Sequence, residues 1–164
     1  MRASTAYKMS RSVPAAMIAS WIAVGLPAPA CANVITDWDE KAVAVVSPIV
    51  PVGVTQSVYT AQRVMGMVHA AMFDAVNSIE RRYRPYVAQL PADPTTSKEA
   101  AAAAAAAAVL ATIDPKTASE MKAALATYLV PIPDGAAKSD GIKLGEAVAA
   151  RVLEARANVP DTLC

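Results

Sequence analysis

The sequence predicts an all-α protein, an antiparallel bundle of about five helices, and three observations carry that prediction. Apolar residues recur at steps of three and four in several separate stretches, the spacing that lines one face of a helix. Prolines punctuate the chain between those stretches, at Pro48 and Pro51, Pro85, Pro115, and Pro131 and Pro133, where a residue without an amide hydrogen ends a helix. Alanine, the strongest helix former, supplies 38 of the 164 residues. The length fits one domain.

The alanines also qualify the hydrophobic content. It reaches 55%, but a methyl group buries little area, so the core is thinner than that figure implies. Aromatic residues, at 5%, point the same way. The formal net charge is +1, and all of the excess sits near the start, where Arg2, Lys8 and Arg11 precede any acid. A near-neutral remainder gives no electrostatic footprint for nucleic acid.

The first 32 residues have the order of an export signal. Arg2, Lys8 and Arg11 form a positive region, Val13 to Leu26 is apolar, and Ala30-Cys31-Ala32 is a small-x-small cleavage site before Asn33. A membrane anchor is the competing reading. Pro14 and Pro27 interrupt the apolar run, which falls short of the ~20 residues a span needs. Cys31 also raises lipoprotein processing, but Ala28-Pro29-Ala30 lacks a large aliphatic residue before it. Cleavage after Ala32 leaves Cys164 as the one cysteine, hence no internal disulfide and no cysteine-based metal site. The expected location is periplasmic or secreted.

A first short helix is expected over Asn33–Val46, capped by Thr36, with Asp37, Asp39 and Glu40 in the first turn where the helix dipole favours negative charge. Trp38, Val43 and Val46 face a core. Residues 47–53 (SPIVPVG) form a loop; Pro48 argues against a strand there.

The central helix runs over about Gln56–Arg82, with its stripe at Val58, Ala61, Met65, Val68, Met72, Val76 and Ile79. It carries the chain's one His, its one Phe (Phe73) and the basic cluster Arg81, Arg82 and Arg84, and the other helices are expected to pack around it. His69, flanked by Met65, Met72 and Phe73, reads either as a ligand or general base or as a core histidine with hydrogen-bonded ring nitrogens. The absence of a second His or Cys partner favours the core histidine. Asp74, Asn77 and Arg81 share a second stripe, read as a polar seam toward a partner helix, because an Asn in mid-helix costs propensity without a partner. Arg81, Arg82 and Arg84 either clamp an anion or form a solvated helix end, the commoner case. Pro85 stops the helix.

Val87–Thr95 is a linker. Thr96 and Glu99 form a capping box for a helix over Ser97–Ile113. Its unbroken alanine run, Ala100–Ala108, has the small side chains that admit a neighbouring helix closely. Asp114-Pro115 ends this helix and starts the next, whose stripe is Ala118, Met121, Leu125 and Tyr128 or Leu129. Asp134 caps a last helix with Ile142, Gly145, Val148 and Val152 on its face. Gly141 and Gly145 indicate a tight helix contact and not a phosphate loop, since neither a strand nor G-x-G-x-x-G accompanies them.

Four segments in order, NVITDWDEKA, AQRVMGMVHAAMFDAVNSIERRYRPY, SKEAAAAAAAAAVL and IPDGAAKSDGIKLGEAVAARVLEARA, resemble the N-terminal half of bacterial vanadium-dependent haloperoxidase-like proteins. These are exported relatives of the type-2 phosphatidic acid phosphatases. The resemblance covers roughly Asn33–Ala157, and HAAMFDAVN and IPDG are its most specific parts. It implies an all-helical partial domain. The family reaction is peroxide-dependent halide oxidation on vanadate, or phosphoester hydrolysis.

The family's oxyanion pocket uses a Lys and an Arg-Pro, then a Ser-Gly-His, then a further Arg and His, because a multiply charged oxyanion needs several fixed cations around it. This chain has no Ser-Gly-His. Arg84-Pro85 matches part of the first motif, but Asn77 stands where the family has its Lys. No catalytic, cofactor-binding or metal residue is therefore carried over, and no cofactor is expected in this chain. The implied organisation is a signal at 1–32, the family-like helical region at 33–157 and a divergent tail at 158–164, where NVPDTLC is the ending expected of a truncated or frameshifted frame. Two functions follow as expectations. One is the N-terminal helical part of such an enzyme, inactive alone, with an apolar face exposed toward a missing half or a second copy. The other is a non-catalytic helical binding or assembly module. Neither involves a membrane span after cleavage.

Overall fold

A computed structural model describes residues 33–47 and 55–157 of the chain. The expected signal, the loop after Ser47 and the divergent tail lie outside the described residues. Five α-helices are present: α1 (Val34–Val46), α2 (Thr55–Glu80), α3 (Lys98–Ile113), α4 (Ala118–Tyr128) and α5 (Ala136–Ala157). A single 3-10 turn, Pro115–Thr117, joins α3 to α4, and there is no strand among the described residues. The fold is the expected all-α helical bundle.

The helix starts follow local chemistry, in two cases one residue or a few from where expected. Asn33, not Thr36, caps α1: its Oδ1 accepts from the amides of Ile35 (2.9 Å) and Thr36 (3.3 Å). Thr36 lies inside the first turn and donates its hydroxyl to the Asn33 carbonyl. Asn33 precedes the helix in extended backbone, the conformation an N-cap requires. At α3 the cap is Ser97 and not Thr96. Its Oγ accepts from Ala100 N at 3.1 Å, Glu99 reaches back to the same hydroxyl, and Thr96 is buried. The Asp134 carboxylate does not cap α5; it pairs with Lys138 at 2.9 Å. Gly135, at φ 148°, turns the chain, and its carbonyl accepts the Ser139 amide as the helical ladder begins.

The helix at the centre is α3, not α2. Each other helix touches it. Ala100–Ala107 are all buried, together with Val109 and Leu110. A helix surrounded on every side must be apolar all round, and alanine makes that possible without holding the neighbours away. The closest neighbour is α5. A Cβ added at Gly141 would stand 2.7 Å from the Ser97 carbonyl and 3.0 Å from the Ala100 methyl; one added at Gly145 would collide with the Ala101 carbonyl and stand 2.8 Å from Ala105 N. The two backbones therefore touch where a side chain would otherwise separate them. Gly141 faces Ser97–Ala101 and Gly145 faces Ala101–Ala105, so α3 and α5 run parallel, with α4 as the return stroke. By contrast α2 runs antiparallel to α5: Arg63 near its start hydrogen-bonds the carbonyl of Arg156 near the end of α5.

The outer helices bury the faces that point at this centre. On α1 these are Trp38, Ala42, Val45 and Val46. Val43, expected inside, is 47% exposed, because the buried spacing from Trp38 passes through Ala42 and Val45. Trp38 meets Tyr128 of α4 edge-on at 6.4 Å between ring centroids. On α2 the buried band is wider than the expected stripe. Val68, Met72 and Ile79 are inside as expected, Val64, Met67, Ala71 and Ala75 join them, and Val58 is exposed. Met121 and Leu129 are the buried residues of the α4 stripe, and Leu144 joins Val148 and Val152 on α5.

Candidate functional site

The polar residues of α2 divide into two groups facing different surroundings. The first serves the chain immediately after the helix. Asp74 is fully buried, and its two carboxylate oxygens accept three consecutive backbone amides: Tyr86 at 2.7 Å, Val87 at 2.8 Å and Ala88 at 2.9 Å. One turn on, Asn77 brackets Tyr83, donating Nδ2 to its carbonyl (2.8 Å) and accepting its amide on Oδ1 (2.9 Å). Ser78 Oγ accepts the amide of Leu90 at 3.0 Å. The expected polar seam thus exists at Asp74 and Asn77, but it faces this returning loop and not a partner helix, and Arg81 is not part of it. A loop laid against a helix must have its amides satisfied, and these three side chains accept those of Tyr83, Tyr86, Val87, Ala88 and Leu90.

The same grip ends the helix. Arg81 adopts the left-handed conformation, φ 54°, while its amide still bonds the Asn77 carbonyl at 2.7 Å. A left-handed residue directly after the last turn is a common helix stop. The helix therefore ends at Glu80, ahead of Pro85. Residues 81–86 are exposed. Arg82 lies over the Tyr83 ring, and Phe73 packs against both Tyr83 (6.1 Å between centroids) and Tyr86 (5.8 Å, edge-on). Glu80 pairs with Lys98 across the α2–α3 junction, and that hydrogen bond and charge hold the Glu80 carboxyl below its ordinary range. The basic cluster is a solvated helix end.

The second group faces outward. His69 is not a core histidine: it is 44% exposed, and its Nε2 lies 3.0 Å from Asp39 Oδ1 on α1. The pair ties the two helices together at the rim of an open groove of about 690 Å³. Met67, Met72, Phe73 and Val76 supply apolar lining, Tyr86 forms a wall, and Gly66 leaves a bare stretch of helix. Arg63 and Arg156 close the end away from the loop. Sequence reasoning missed this groove. The available signal was Gly66, a glycine inside an otherwise regular helix.

Arg81 and Arg82 line a different concavity, with Glu80, Ala92, Pro94 and Lys98. His69 does not reach it, and neither arginine lines the His69 groove. Among the described residues no three His, Cys, Asp or Glu side chains gather as a metal site, and no helix is long and apolar enough to cross a membrane. No family model, curated protein or solved structure matches this chain.

Proposed function

We propose that this chain is a non-catalytic helical scaffold, the counterpart of the N-terminal part of exported vanadium-dependent haloperoxidase-like proteins. The oxyanion chemistry of such proteins, halide oxidation or phosphoester hydrolysis, belongs to motifs this sequence does not carry. One observation supports the reading above others: His69 and the basic cluster that follows α2 line separate concavities. His69 is committed to Asp39 at the rim of one, and Arg81 and Arg82 stand at another. An oxyanion site needs its cations and its histidine around the same small volume; the cations that share the His69 groove are Arg63 and Arg156, and the Arg63 guanidinium donates to the Arg156 carbonyl. The most family-like stretch, HAAMFDAVN, has a structural use here, because Asp74 and Asn77 hold the loop that follows.

The test is a halide-oxidation assay with peroxide and added vanadate, run beside a chromogenic phosphoester assay, on the purified chain. Neither should exceed the buffer rate. Turnover that disappears in His69→Ala would overturn the scaffold reading and make α2 an active-site helix. A second reading, a binding module, is favoured by the open groove on α2.

A further inference from the structure

Arg81, Arg82 and Arg84 leave the end of α2 together, and among the described residues none of them makes an ion pair. The acid beside them, Glu80, is taken by Lys98 at 2.6 Å, with Arg82 adding to the positive field on it. Asp74 spends both its oxygens on backbone amides. Residues 1–32 and 48–54 contain no Asp or Glu. Residues 158–164 leave from the end of α5 that meets Arg63, about 27 Å along α2 from Arg81. The positive charge of this turn is therefore unanswered on its own side of the molecule.

The turn is also rigid. Asn77 holds both the amide and the carbonyl of Tyr83, and Asp74 holds the amide of Tyr86. The two tyrosine rings rest against Phe73, yet Tyr83 is 60% and Tyr86 76% exposed. Buried polar groups thus fix a backbone whose side chains, at 81–86, all face water. Arg81 stands in a left-handed conformation, φ 54°, that glycine would adopt without strain. The fold gives no reason for an arginine there. Beside the turn, Arg81, Arg82 and Lys98 line an open concavity of about 480 Å³ in which Glu80 is the one acid.

We propose that the 81–86 turn is a docking surface for an acidic protein segment, whose carboxylates meet Arg81, Arg82 and Arg84 and whose apolar side chains lie on Tyr83 and Tyr86. Arginine and tyrosine are the residues on which protein contacts most often depend, and a preformed backbone lowers the entropy lost on docking. A concave seat suits a side chain better than a flat bilayer, and three arginines fall short of the four to eight clustered cations that read as lipid-binding. The near-neutral remainder of the chain argues against nucleic acid. The inference stands apart from the haloperoxidase-like reading, since neither halide nor phosphoester turnover enters it.

Fluorescence anisotropy of the purified chain tests it with a labelled peptide alternating glutamate and phenylalanine, beside the same peptide with lysine for glutamate. Saturable binding of the acidic peptide is expected, with the lysine peptide at least tenfold weaker and added salt weakening the acidic one. The double variant Arg82→Glu, Arg84→Glu should abolish binding with the helical circular dichroism unchanged. Arg81→Gly gives a split that a merely structural residue would not: the thermal midpoint should rise by about 3 °C while binding weakens at least threefold. If the double variant fails to fold, amide shifts in the unsubstituted chain decide instead: the acidic peptide should move Arg82 and Tyr83 and spare Gly141 and Gly145. No saturable binding, equal binding of the two peptides, shifts confined to another face, or an Arg81→Gly variant that binds as tightly as the unsubstituted chain would each overturn the proposal. So would sedimentation with phosphatidylglycerol vesicles that needs these arginines and is indifferent to the acidic peptide, which would make the turn a lipid contact.

Discussion

Two junctions hold this molecule together by opposite means. Where α5 crosses α3, the contact is made by what is missing: glycine against alanine, backbone against backbone, with no polar side chain between them. Where the loop after α2 returns along that helix, the contact is made by buried polar groups, with Asp74, Asn77 and Ser78 each accepting main-chain amides. Apart from one backbone hydrogen bond at its end, from the Ser97 amide to the Ala137 carbonyl at 3.0 Å, the first is not directional, so its specificity is chiefly steric. Only the smallest residues fit, and any addition is an error. The second is directional, so its specificity is chemical. An isosteric change of the wrong polarity is as damaging as a deletion. An alanine-rich chain uses both because its side chains are too small to interlock by shape alone.

The comparison predicts a graded set of responses. The largest belongs to the steric junction. Gly145→Leu drives a side chain into the Ala101 carbonyl, which cannot rotate away. Loss of the cooperative thermal transition, or a destabilisation of about 3 kcal/mol or more, is expected by circular dichroism. A stable, fully helical variant would show that α3 and α5 are not in backbone contact.

The polar junction comes next. Asp74→Ala strands three amides at once and should cost about 2–3 kcal/mol. Its signature differs from that of the steric variant: amide exchange should accelerate at Tyr86–Ala88 while the α3 alanines remain protected. Equal acceleration at both places would mean that the loop is not a separate unit.

Gly66→Ala gives the control with the opposite sign. Nothing opposes the added methyl group, so a gain of about 0.5–1 kcal/mol is expected in chemical denaturation. A loss would place an unseen contact over α2.

The smallest effect is a pH dependence. Burial first, then the charges of Asp37 and Glu99, raise the Tyr128 hydroxyl above its ordinary 10.0. The unfolded chain ionises this group at lower pH than the folded one. The contribution is therefore complete below about pH 10 and is lost as pH rises through the folded value. Tyr128→Phe should flatten the alkaline part of the stability curve and leave neutral pH nearly unchanged. An unaltered alkaline slope would show that the hydroxyl is not held this way.

Much of this architecture was legible in one dimension. Helix periodicity and proline punctuation located all five helices within a few residues, and Gly141 and Gly145 announced a close contact that the α5–α3 junction contains. The exact caps were less legible, because Asn33, Thr36, Thr96 and Ser97 are all competent by chemistry and neighbouring backbone geometry chose among them. The site was the least legible part. His69 looked like a core residue because Met65, Met72 and Phe73 surround it in sequence, yet Asp39, thirty residues earlier, is its partner.

The sequence by itself determined where helices form, since propensity, periodicity and proline act within a few residues of each position. It also pointed to close helix contacts at two places, the alanine run of α3 and the glycine pair Gly141 and Gly145 of α5, because small side chains let backbones approach. Tertiary structure alone decided which helix is central. Amphipathic pattern pointed to α2, but a helix can be enclosed on all sides only if its neighbours can reach its backbone, and among the five that condition is met by the alanines of α3. Tertiary structure also decided what the polar residues of α2 do. A stripe of Asp, Asn and Ser specifies a need for partners, but only the path of the returning chain supplies the amides that meet it.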